Sequence, residues 1–262
     1  MSIETIKKKS LEEHIPIIMD DTLEVIKEIL IKEKPARILE VGTATGYSSI
    51  CFATILLENN VDEENSSILI DTIELDEERA NEAIKNIKDM KLENTINVFK
   101  GNAIEILPTF KEKYDIIFID AAKGKYPIFL KEAIRLSHKN SIILADNILY
   151  KGYVMSDYNK HKQRTAVTHL REYIKEAKEN ENLETTILEV GDGLAISKVK
   201  EWFPKKSLLN LKHPALWGWE RICLIRVLVL TQLNYMSLLL IHKIWLEFCQ
   251  VYHLLKVLPE SL

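Results

Sequence analysis

The sequence predicts an α/β fold in which helices cover both faces of a mostly parallel sheet, closed by a C-terminal antiparallel hairpin. Short β-prone apolar runs alternate with segments of helical periodicity, which is the element order of a parallel sheet. The run 114–119 is almost continuously apolar, as expected for a strand buried on both faces. The last two runs flank the glycine-containing turn 191–193, which is typical of a hairpin.

The first helix is predicted over 11–34, because Leu23 and Ile26 recur at helical spacing. Pro16 interrupts its start, since proline is excluded from a helix interior. Further helices are predicted over 47–57, 77–90, 129–136 and 165–179. The predicted strands are 38–41, 68–73, 96–100, 114–119, 142–145, 185–190 and 194–199. Ligands of such sheets bind beyond the carboxyl ends of the strands, so the residues after each strand are candidates for a site.

The bulk composition indicates an ordinary globular protein. The chain has 262 residues and a net charge of −4, which gives no global sign of nucleic-acid binding. Its three cysteines lack the spacing of metal ligands and suit a reducing compartment. Residues 1–9 are polar and rich in lysine, unlike a signal peptide. We therefore expect a cytoplasmic protein.

The composition changes near residue 201. All four tryptophans and two of the three cysteines lie beyond it, and aspartate is absent there. We therefore predict one folded domain over 1–200 and an apolar tail over 201–262. The longest uncharged run of the tail, 227–242, has 16 residues, fewer than the roughly 20 that a membrane-spanning helix needs, so no clear span is expected. The tail is a dimerisation or interfacial helix pair, a poorly anchored membrane segment, or an out-of-frame extension without selected structure.

A glycine-containing turn follows the first predicted strand. The strand ends at Gly42, small residues follow at Ala44 and Gly46, and a helix then begins. Small residues let a ligand approach the backbone, and the free N–H groups of a first helical turn favour a carboxylate or phosphate. The turn therefore predicts a nucleotide-like ligand, and the alternative is an ordinary strand–helix connection.

Polar residues follow the second and third strands. Glu74 ends the second strand, where a carboxylate accepts hydrogen bonds from ribose hydroxyls; the alternative is a helix-capping acid. Asn102 and Ala103 follow the third strand, where small and polar residues could flank an adenine edge. These positions fit the same nucleoside-like ligand.

Three oxygen-bearing side chains follow the fourth and fifth strands, namely Asp120, Asp146 and Asn147. Hard divalent cations such as Mg²⁺ take carboxylate and amide oxygens. The set would hold such a cation and leave room for a substrate that supplies further oxygens. The alternative is that Asp120 binds only the cofactor and that the other two residues form a turn.

Three motifs carry a family resemblance: EVGTATGYS at 40–48, IDAAKGKY at 119–126 and ADN at 145–147. In this order they resemble the metal-dependent O-methyltransferases that use S-adenosylmethionine, the catechol and caffeoyl-CoA O-methyltransferases. The likeness covers 11–200 and is nearest to the bacterial branch that includes the tRNA 5-hydroxyuridine methyltransferases. It implies a Rossmann-like class I methyltransferase fold and a homodimer.

The resemblance also implies a role for each candidate residue. The implied cofactor contacts are Ile18, Gly42, Ser48, Glu74, Asn102, Ala103 and Asp120. Ser48 would lie near the methionine carboxylate, and Ile18 near the methyl donor, although Ile18 suits the core equally well. The implied metal ligands are Asp120, Asp146 and Asn147, and the implied general base is Lys123. Asn102 departs from the bacterial branch, which often has Asp there.

The implied reaction is attack of an acceptor hydroxyl on the sulfonium methyl group. We expect 5-hydroxyuridine at the tRNA wobble position as the acceptor, giving 5-methoxyuridine, because the bacterial branch is similar and basic residues lie near the strand ends. These residues are Lys123, Lys125, Lys151, Lys160, His161, Lys162, Arg164 and Arg171. The alternatives are a small catechol-like or CoA-linked phenolic acceptor and, outside enzymes, a cofactor-binding or membrane-associated regulator. A net charge of −7 over 1–200 argues against RNA.

Overall fold

The computed structural model describes residues 1–59, 68–156 and 163–200, and seven strands within them form one sheet. The strands are β1 Arg37–Val41, β2 Leu69–Glu74, β3 Ile96–Lys100, β4 Tyr114–Ile119, β5 Ser137–Ala145, β6 Leu183–Leu188 and β7 Leu194–Val199. The helices are α1 Ile3–Glu12, α2 Asp20–Glu33, α3 Tyr47–Asn59, α4 Glu77–Asp89, α5 Ala103–Ile106, α6 Tyr126–Arg135 and α7 Arg164–Glu179.

Two groups of predictions lie outside the described residues. The first is the apolar tail over 201–262, and the second comprises the basic residues Lys160, His161 and Lys162. Across the described ranges, every helix is either too short or too polar to cross a membrane.

The strand order across the sheet is β3-β2-β1-β4-β5-β7-β6. The neighbours from β3 to β5 pair in parallel, whereas β7 is antiparallel to both β5 and β6. The predicted mostly parallel sheet with a C-terminal antiparallel hairpin is therefore confirmed. The strand β6 begins and ends two residues earlier than predicted.

Successive residues of the central strands enter two separate cores, one on each face of the sheet. In β1, Ile38 contacts the apolar cluster that contains Ile26 of α2. The next residue, Leu39, belongs to the opposite cluster, which contains Leu130 of α6 and Leu170 of α7. All five side chains are buried, and each contributes about 1.5–3 kcal/mol through the removal of apolar surface from water. Burial on both faces is what a parallel sheet requires.

The structure divides the predicted helix 11–34 into two helices, so that prediction is wrong. Helix α1 ends at Glu12 and α2 begins at Asp20. The connection contains Pro16, which cannot donate a backbone hydrogen bond and disfavours helix in the residue before it. Helix α1 was not predicted; the side chain of Ser2 caps its N-terminus.

Two further boundaries differ from the prediction by three residues or more, and the other differences are of one or two residues. Strand β5 begins at Ser137 rather than at residue 142, because its first five residues are polar and so lack an apolar signal. Helix α6 begins at Tyr126 rather than at residue 129, with Pro127 in its first turn. Proline is favourable there, since the first N–H groups of a helix have no partner within it.

The hydrogen-bond ladders of the parallel strands continue one residue beyond the strands themselves. The N–H of Asp120 donates to the carbonyl of Val41 at 2.9 Å, and the N–H of Asp146 donates to the carbonyl of Ile119 at 3.0 Å. The residues that follow β4 and β5 are thereby fixed side by side at the carboxyl edge of the sheet, where ligands of this fold class bind.

Candidate active site

The turn 42–46 connects β1 to α3 with an unusual backbone conformation. Three of its residues have positive φ angles: Gly42 at 107°, Ala44 at 47° and Gly46 at 81°. A Cβ atom on Gly42 would lie 2.0 Å from the carbonyl oxygen of Asp120, so only glycine fits there. The left-handed conformation of Ala44 costs about 1–2 kcal/mol, so the turn depends on bonds from its surroundings.

Glu74 braces this turn from the end of β2. Its Oε2 accepts the N–H of Ala44 at 2.8 Å, and its Oε1 accepts the N–H of Asp76 at 2.9 Å. Each carboxylate oxygen retains a further lone pair, so the group can still accept hydrogen bonds from a ligand. Glu74 therefore holds the turn in shape, and its ribose contact stays a prediction.

A fully buried carboxylate to which the sequence pattern assigned no role, Glu40, lies at the base of the turn. Ser48 Oγ donates to its Oε1 at 2.5 Å, and Thr72 Oγ1 donates to its Oε2 at 2.6 Å. Burial raises the pKa of Glu40 to about 7, and these two hydrogen bonds oppose the rise. The signal in the sequence was an acid inside an apolar strand.

The hydrogen bond to Glu40 limits how the hydroxyl of Ser48 can bind a ligand. The hydroxyl proton of Ser48 is donated to Glu40, so its oxygen offers a ligand carboxylate only lone pairs. A contact between Ser48 and the methionine carboxylate would therefore come from the backbone N–H in the first turn of α3. The predicted position of Ser48 beside the cofactor stays a prediction.

Lys123 lies among the residues that follow β4 and β5. Its Nζ donates to Asp120 Oδ1 at 2.9 Å, to Asn147 Oδ1 at 2.8 Å and to the Tyr126 hydroxyl at 3.2 Å. The side chains of Lys123 and Asp120 are only 17% and 24% exposed, so water screens this ion pair less than a surface pair. The structure thus brings the predicted base together with two of the three predicted metal ligands.

The third predicted ligand, Asp146, is 1% exposed. Its Oδ1 accepts the N–H of Asn147 at 2.7 Å, whereas its Oδ2 is buried and has no hydrogen-bond partner among the described residues. Burial first, and then the negative charge of Asp120, raise the pKa of Asp146 to about 7. A buried oxygen without a partner is costly unless a ligand or a proton satisfies it.

The donor chemistry of this cluster fits a hard divalent cation. Two carboxylates and one amide oxygen are the ligand types that Mg²⁺ takes, and no described residue satisfies Asp146 Oδ2. No three His, Cys, Asp or Glu side chains cluster at metal-binding distance in the described part of the chain. The predicted set of Asp120, Asp146 and Asn147 is not a cluster of that kind, because Asn147 contributes an amide oxygen and is not one of these four residue types.

Tyr126, to which the sequence pattern also assigned no role, contacts two residues of this cluster. Its hydroxyl donates to the carbonyl oxygen of Asp146 at 2.8 Å and accepts from Lys123 Nζ at 3.2 Å. Its ring is fully buried and packs edge to face against Tyr173, with ring centroids 5.6 Å apart. Burial raises the pKa of Tyr126 well above its ordinary value, so the hydroxyl stays protonated and donates. Its place three residues after Lys123 in one motif was the available signal.

Asn102 and Ala103 lie at the carboxyl end of β3, as predicted. Asn102 caps α5, with its Oδ1 accepting the N–H of Ile104 at 3.1 Å. Its Nδ2 donates to Glu105 Oε1 at 3.1 Å, and the residue is partly exposed. Ala103 packs against the apolar core beside β3. Contact of either residue with an adenine stays a prediction.

Ile18 precedes α2 and is 3% exposed. It belongs to the apolar cluster that also contains Ile6 of α1 and Ile50 of α3. The structure therefore places Ile18 in the core, and its proximity to a methyl donor stays a prediction.

Comparison with known proteins identifies the family. Residues 4–200 match the model of a family described as O-methyltransferase. A catechol O-methyltransferase of Niastella koreensis is 35% identical over 172 residues, which cover 62% of this chain and 73% of that protein.

Two solved structures share the fold. A Staphylococcus aureus protein described as a candidate caffeoyl-CoA O-methyltransferase is 31% identical, with a TM-score of 0.68 over 76% of this chain and 92% of that chain. An O-methyltransferase from Bacillus cereus, solved in complex with SAH, is 26% identical, with a TM-score of 0.66 over 76% of this chain and 90% of that chain. The family match spans the whole described sheet and every residue of the site, and on that basis the chain belongs to the O-methyltransferase family.

Proposed function

We propose that this O-methyltransferase moves a methyl group from S-adenosylmethionine to an acceptor that carries two neighbouring oxygens, with a divalent cation such as Mg²⁺ at the site. The observation that carries the proposal is the convergence of Asp120, Asp146 and Asn147 beside the strained turn, where one buried carboxylate oxygen of Asp146 has no hydrogen-bond partner within the described part of the chain. Oxygen ligands of this kind suit a cation that also contacts the substrate.

The turn 42–46, with the start of α3, would bind the methionine part of S-adenosylmethionine. Its small residues allow close approach to the backbone, and the helix N-terminus favours the ligand carboxylate. Glu74 would accept hydrogen bonds from the ribose, and Asn102 and Ala103 would flank the adenine. Support comes from the positions of these residues at the ends of neighbouring strands and from the SAH complex of the Bacillus cereus relative.

The cation would be held by Asp120, Asp146 and Asn147, and when bound it lowers the pKa of the acceptor hydroxyl and fixes its orientation. Tyr126 keeps the backbone of Asp146 in place through its hydrogen bond to the carbonyl oxygen. Glu40 keeps Ser48 and Thr72 in place beneath the turn. These two buried residues position the groups that contact the ligands.

Lys123 would be the general base of the transfer. As an ammonium it donates to Asp120, Asn147 and Tyr126, so it must lose a proton and turn away from these oxygens before it can accept one. The acceptor oxygen then bonds to the methyl carbon as the carbon–sulfur bond breaks. The hydroxyl proton passes to Lys123 Nζ, and S-adenosylhomocysteine leaves.

A small ortho-dihydroxy aromatic is the first candidate acceptor, because its two adjacent oxygens can face one cation together. The Niastella koreensis relative, a catechol O-methyltransferase, supports this choice. A phenolic acceptor linked to CoA belongs to the same chemical class.

A tRNA 5-hydroxyuridine acceptor is the second candidate, because the 5-hydroxyl and 4-oxo groups also offer adjacent oxygens. The exposed basic residues Lys125, Lys151 and Arg164 favour it. Two other basic residues of the predicted set do not favour a tRNA acceptor, because their side chains are engaged within the protein. Lys123 donates to the site residue Asn147, and Arg171 donates to backbone carbonyls.

The deciding experiment offers the purified full-length chain, with labelled S-adenosylmethionine and Mg²⁺, three acceptors in parallel. These are catechol, phenol and tRNA that carries 5-hydroxyuridine. Methylation of catechol but not phenol supports the adjacent-oxygen proposal with a small acceptor. Methylation of tRNA alone favours the second candidate, and equal rates with phenol and catechol would refute the adjacent-oxygen requirement.

A further inference from the structure

Helix α1 reaches the glycine-containing turn through one buried hydrogen bond. Ser10 Oγ lies 2.9 Å from Thr45 Oγ1, and both residues are 1% exposed. The single hydroxyl proton of Ser10 is directed to the carbonyl oxygen of Ile6, also at 2.9 Å. Thr45 is therefore the donor and Ser10 the acceptor in the bond that joins α1 to the turn.

Helix α1 is anchored independently of that bond. Ile6 is 1% exposed and belongs to the apolar cluster that also contains residues of α2 and α3. Lys9 pairs with Glu82 of α4 at 2.5 Å. The helix thus has contacts other than the bond to Thr45 that keep Ser10 next to the turn.

Thr45 is also held by α4, through its backbone carbonyl. Asn86, which is 3% exposed, donates from Nδ2 to the carbonyl oxygen of Thr45 at 2.9 Å. A Cβ atom on Gly46 would lie 3.3 Å from the Cβ of Ala83 in the same helix. Thr45 is therefore hydrogen-bonded to both α1 and α4, next to the left-handed conformation of Ala44.

We propose that α1 is a positioning element of the cofactor site and that Ser10 is a positioning residue that acts through Thr45. A turn with three positive φ angles has other accessible conformations, and each fixed contact lowers the free energy needed to reach the ligand-binding one. Ser10 therefore raises the affinity for S-adenosylmethionine by preorganising the turn. This inference rests on the proposed assignment of the turn to that ligand.

The proposal has a reciprocal consequence that needs no variant to test. If docking of α1 favours cofactor binding, then cofactor binding must favour docking of α1 by the same factor. S-adenosylhomocysteine added to the wild-type full chain should slow hydrogen exchange of the α1 amides severalfold, as measured by mass spectrometry. Unchanged exchange over Ile3–Glu12 at saturating ligand would overturn the proposal.

The variant Ser10→Ala removes the acceptor and should raise the Kd for S-adenosylmethionine about three- to tenfold, the amount that one hydrogen bond is worth. The matched control is Ser2→Ala, which removes the exposed cap of the same helix and leaves the bond to Thr45 in place. We expect that control to keep Kd within twofold. Equal effects of the two variants, or no effect of Ser10→Ala, would refute a role for this bond.

The variant Glu74→Gln separates this inference from the assignment beneath it. If Glu74→Gln raises Kd more than tenfold while Ser10→Ala leaves it unchanged, the turn binds the cofactor and only the role of α1 fails. If neither variant changes Kd in a protein whose thermal unfolding shows it to be folded, the assignment of the turn fails as well.

Discussion

Lys123 is the side chain that connects the proposed base to the proposed metal ligands. Its ammonium contacts Asp120 and Asn147 together, in a cluster that also contains the buried carboxylate of Asp146. Without a bound cation, the lysine supplies the positive charge that two neighbouring carboxylates need. A divalent cation would take the same oxygens, so the lysine and the cation compete for them.

That competition predicts that Lys123→Met binds Mg²⁺ or Mn²⁺ more tightly than the wild type, by roughly tenfold or more, because a positive charge next to the ligands is removed. The same variant should lose most turnover. The control is Lys125→Met, which removes an exposed lysine two residues away that is outside the ligand cluster. Isothermal titration with the metal alone measures the metal affinity of both variants. An equal increase in the two variants would show that the loss of any nearby positive charge explains the effect, without competition for the ligand oxygens.

Glu40 predicts a measurable pH dependence of stability. Its pKa is raised to about 7 in the folded protein from an ordinary 4.5, so between these values the folded state holds a proton that the unfolded state has lost. The free energy of unfolding therefore falls as pH rises through this window, by up to about 3 kcal/mol from this group. Asp146 acts with the same sign, since burial raises its pKa also to about 7.

The variant Glu40→Gln does not titrate at this position, so its stability should vary less between pH 4.5 and 7 than that of the wild type. Urea unfolding at several pH values measures the difference. An identical slope in both proteins would show that Glu40 titrates normally.

The helices and strands differ in how accurately the sequence predicts them. Strands β3 and β4 were predicted to the residue, because β-prone apolar side chains recur along them and polar residues or glycine lie at their ends. Helix α1 was not predicted, since its sequence is rich in lysine and only its burial of Ile6 and Ser10 shows that it docks. Short-range patterns do not carry such long-range contacts.

The site shows the same division. Residues at the ends of parallel strands could be predicted, because topology alone brings them to one edge of the sheet. The contacts of Glu40 and Tyr126 could not, because they depend on how side chains from separate elements meet in the interior. Sequence spacing predicts which residues lie at the edge of the sheet, whereas their hydrogen-bond partners depend on three-dimensional packing.

The connection between β1 and α3 allows a paired test of the turn. In Gly42→Ala, the new methyl group would meet the carbonyl of Asp120 at 2.0 Å in addition to the strain of a φ of 107°. The control is Gly152→Ala, where φ is 74° and an added Cβ atom would have no atom of another described residue within 4 Å beyond its chain neighbours. We expect Gly152→Ala to cost about 1–2 kcal/mol and Gly42→Ala to cost at least about 1–3 kcal/mol more, by urea unfolding. Equal costs would contradict the close approach of the turn to Asp120.

For the whole molecule, the family match and the described sheet end together. The match ends at residue 200, and β7, which joins β5 to β6, ends at Val199. The change in composition near residue 201 led to the predicted boundary between the domain 1–200 and the tail 201–262. That boundary stays a prediction, as do homodimerisation and cytoplasmic localisation.

The boundary predicts that a chain shortened after Lys200 keeps its fold and its full methyl-transfer rate, because the seven strands of the described residues form one continuous sheet that ends at Val199. Thermal unfolding and turnover of the shortened and full chains give the comparison. Loss of folding or of turnover in the shortened chain would show that the tail is part of the working enzyme.

The most direct measurement of the proposed mechanism follows cofactor binding and methyl transfer in one chelator-treated sample of the full chain. The acceptor is the one that is methylated fastest among catechol, phenol and hydroxylated tRNA. Because the proposed cofactor contacts other than Asp120 are not metal ligands, the Kd for S-adenosylmethionine should stay within several-fold in chelator while turnover falls to nearly zero. Excess Mg²⁺ should restore turnover in the wild type but not in Asp146→Asn. Full turnover in chelator would contradict a metal-dependent transfer at this site.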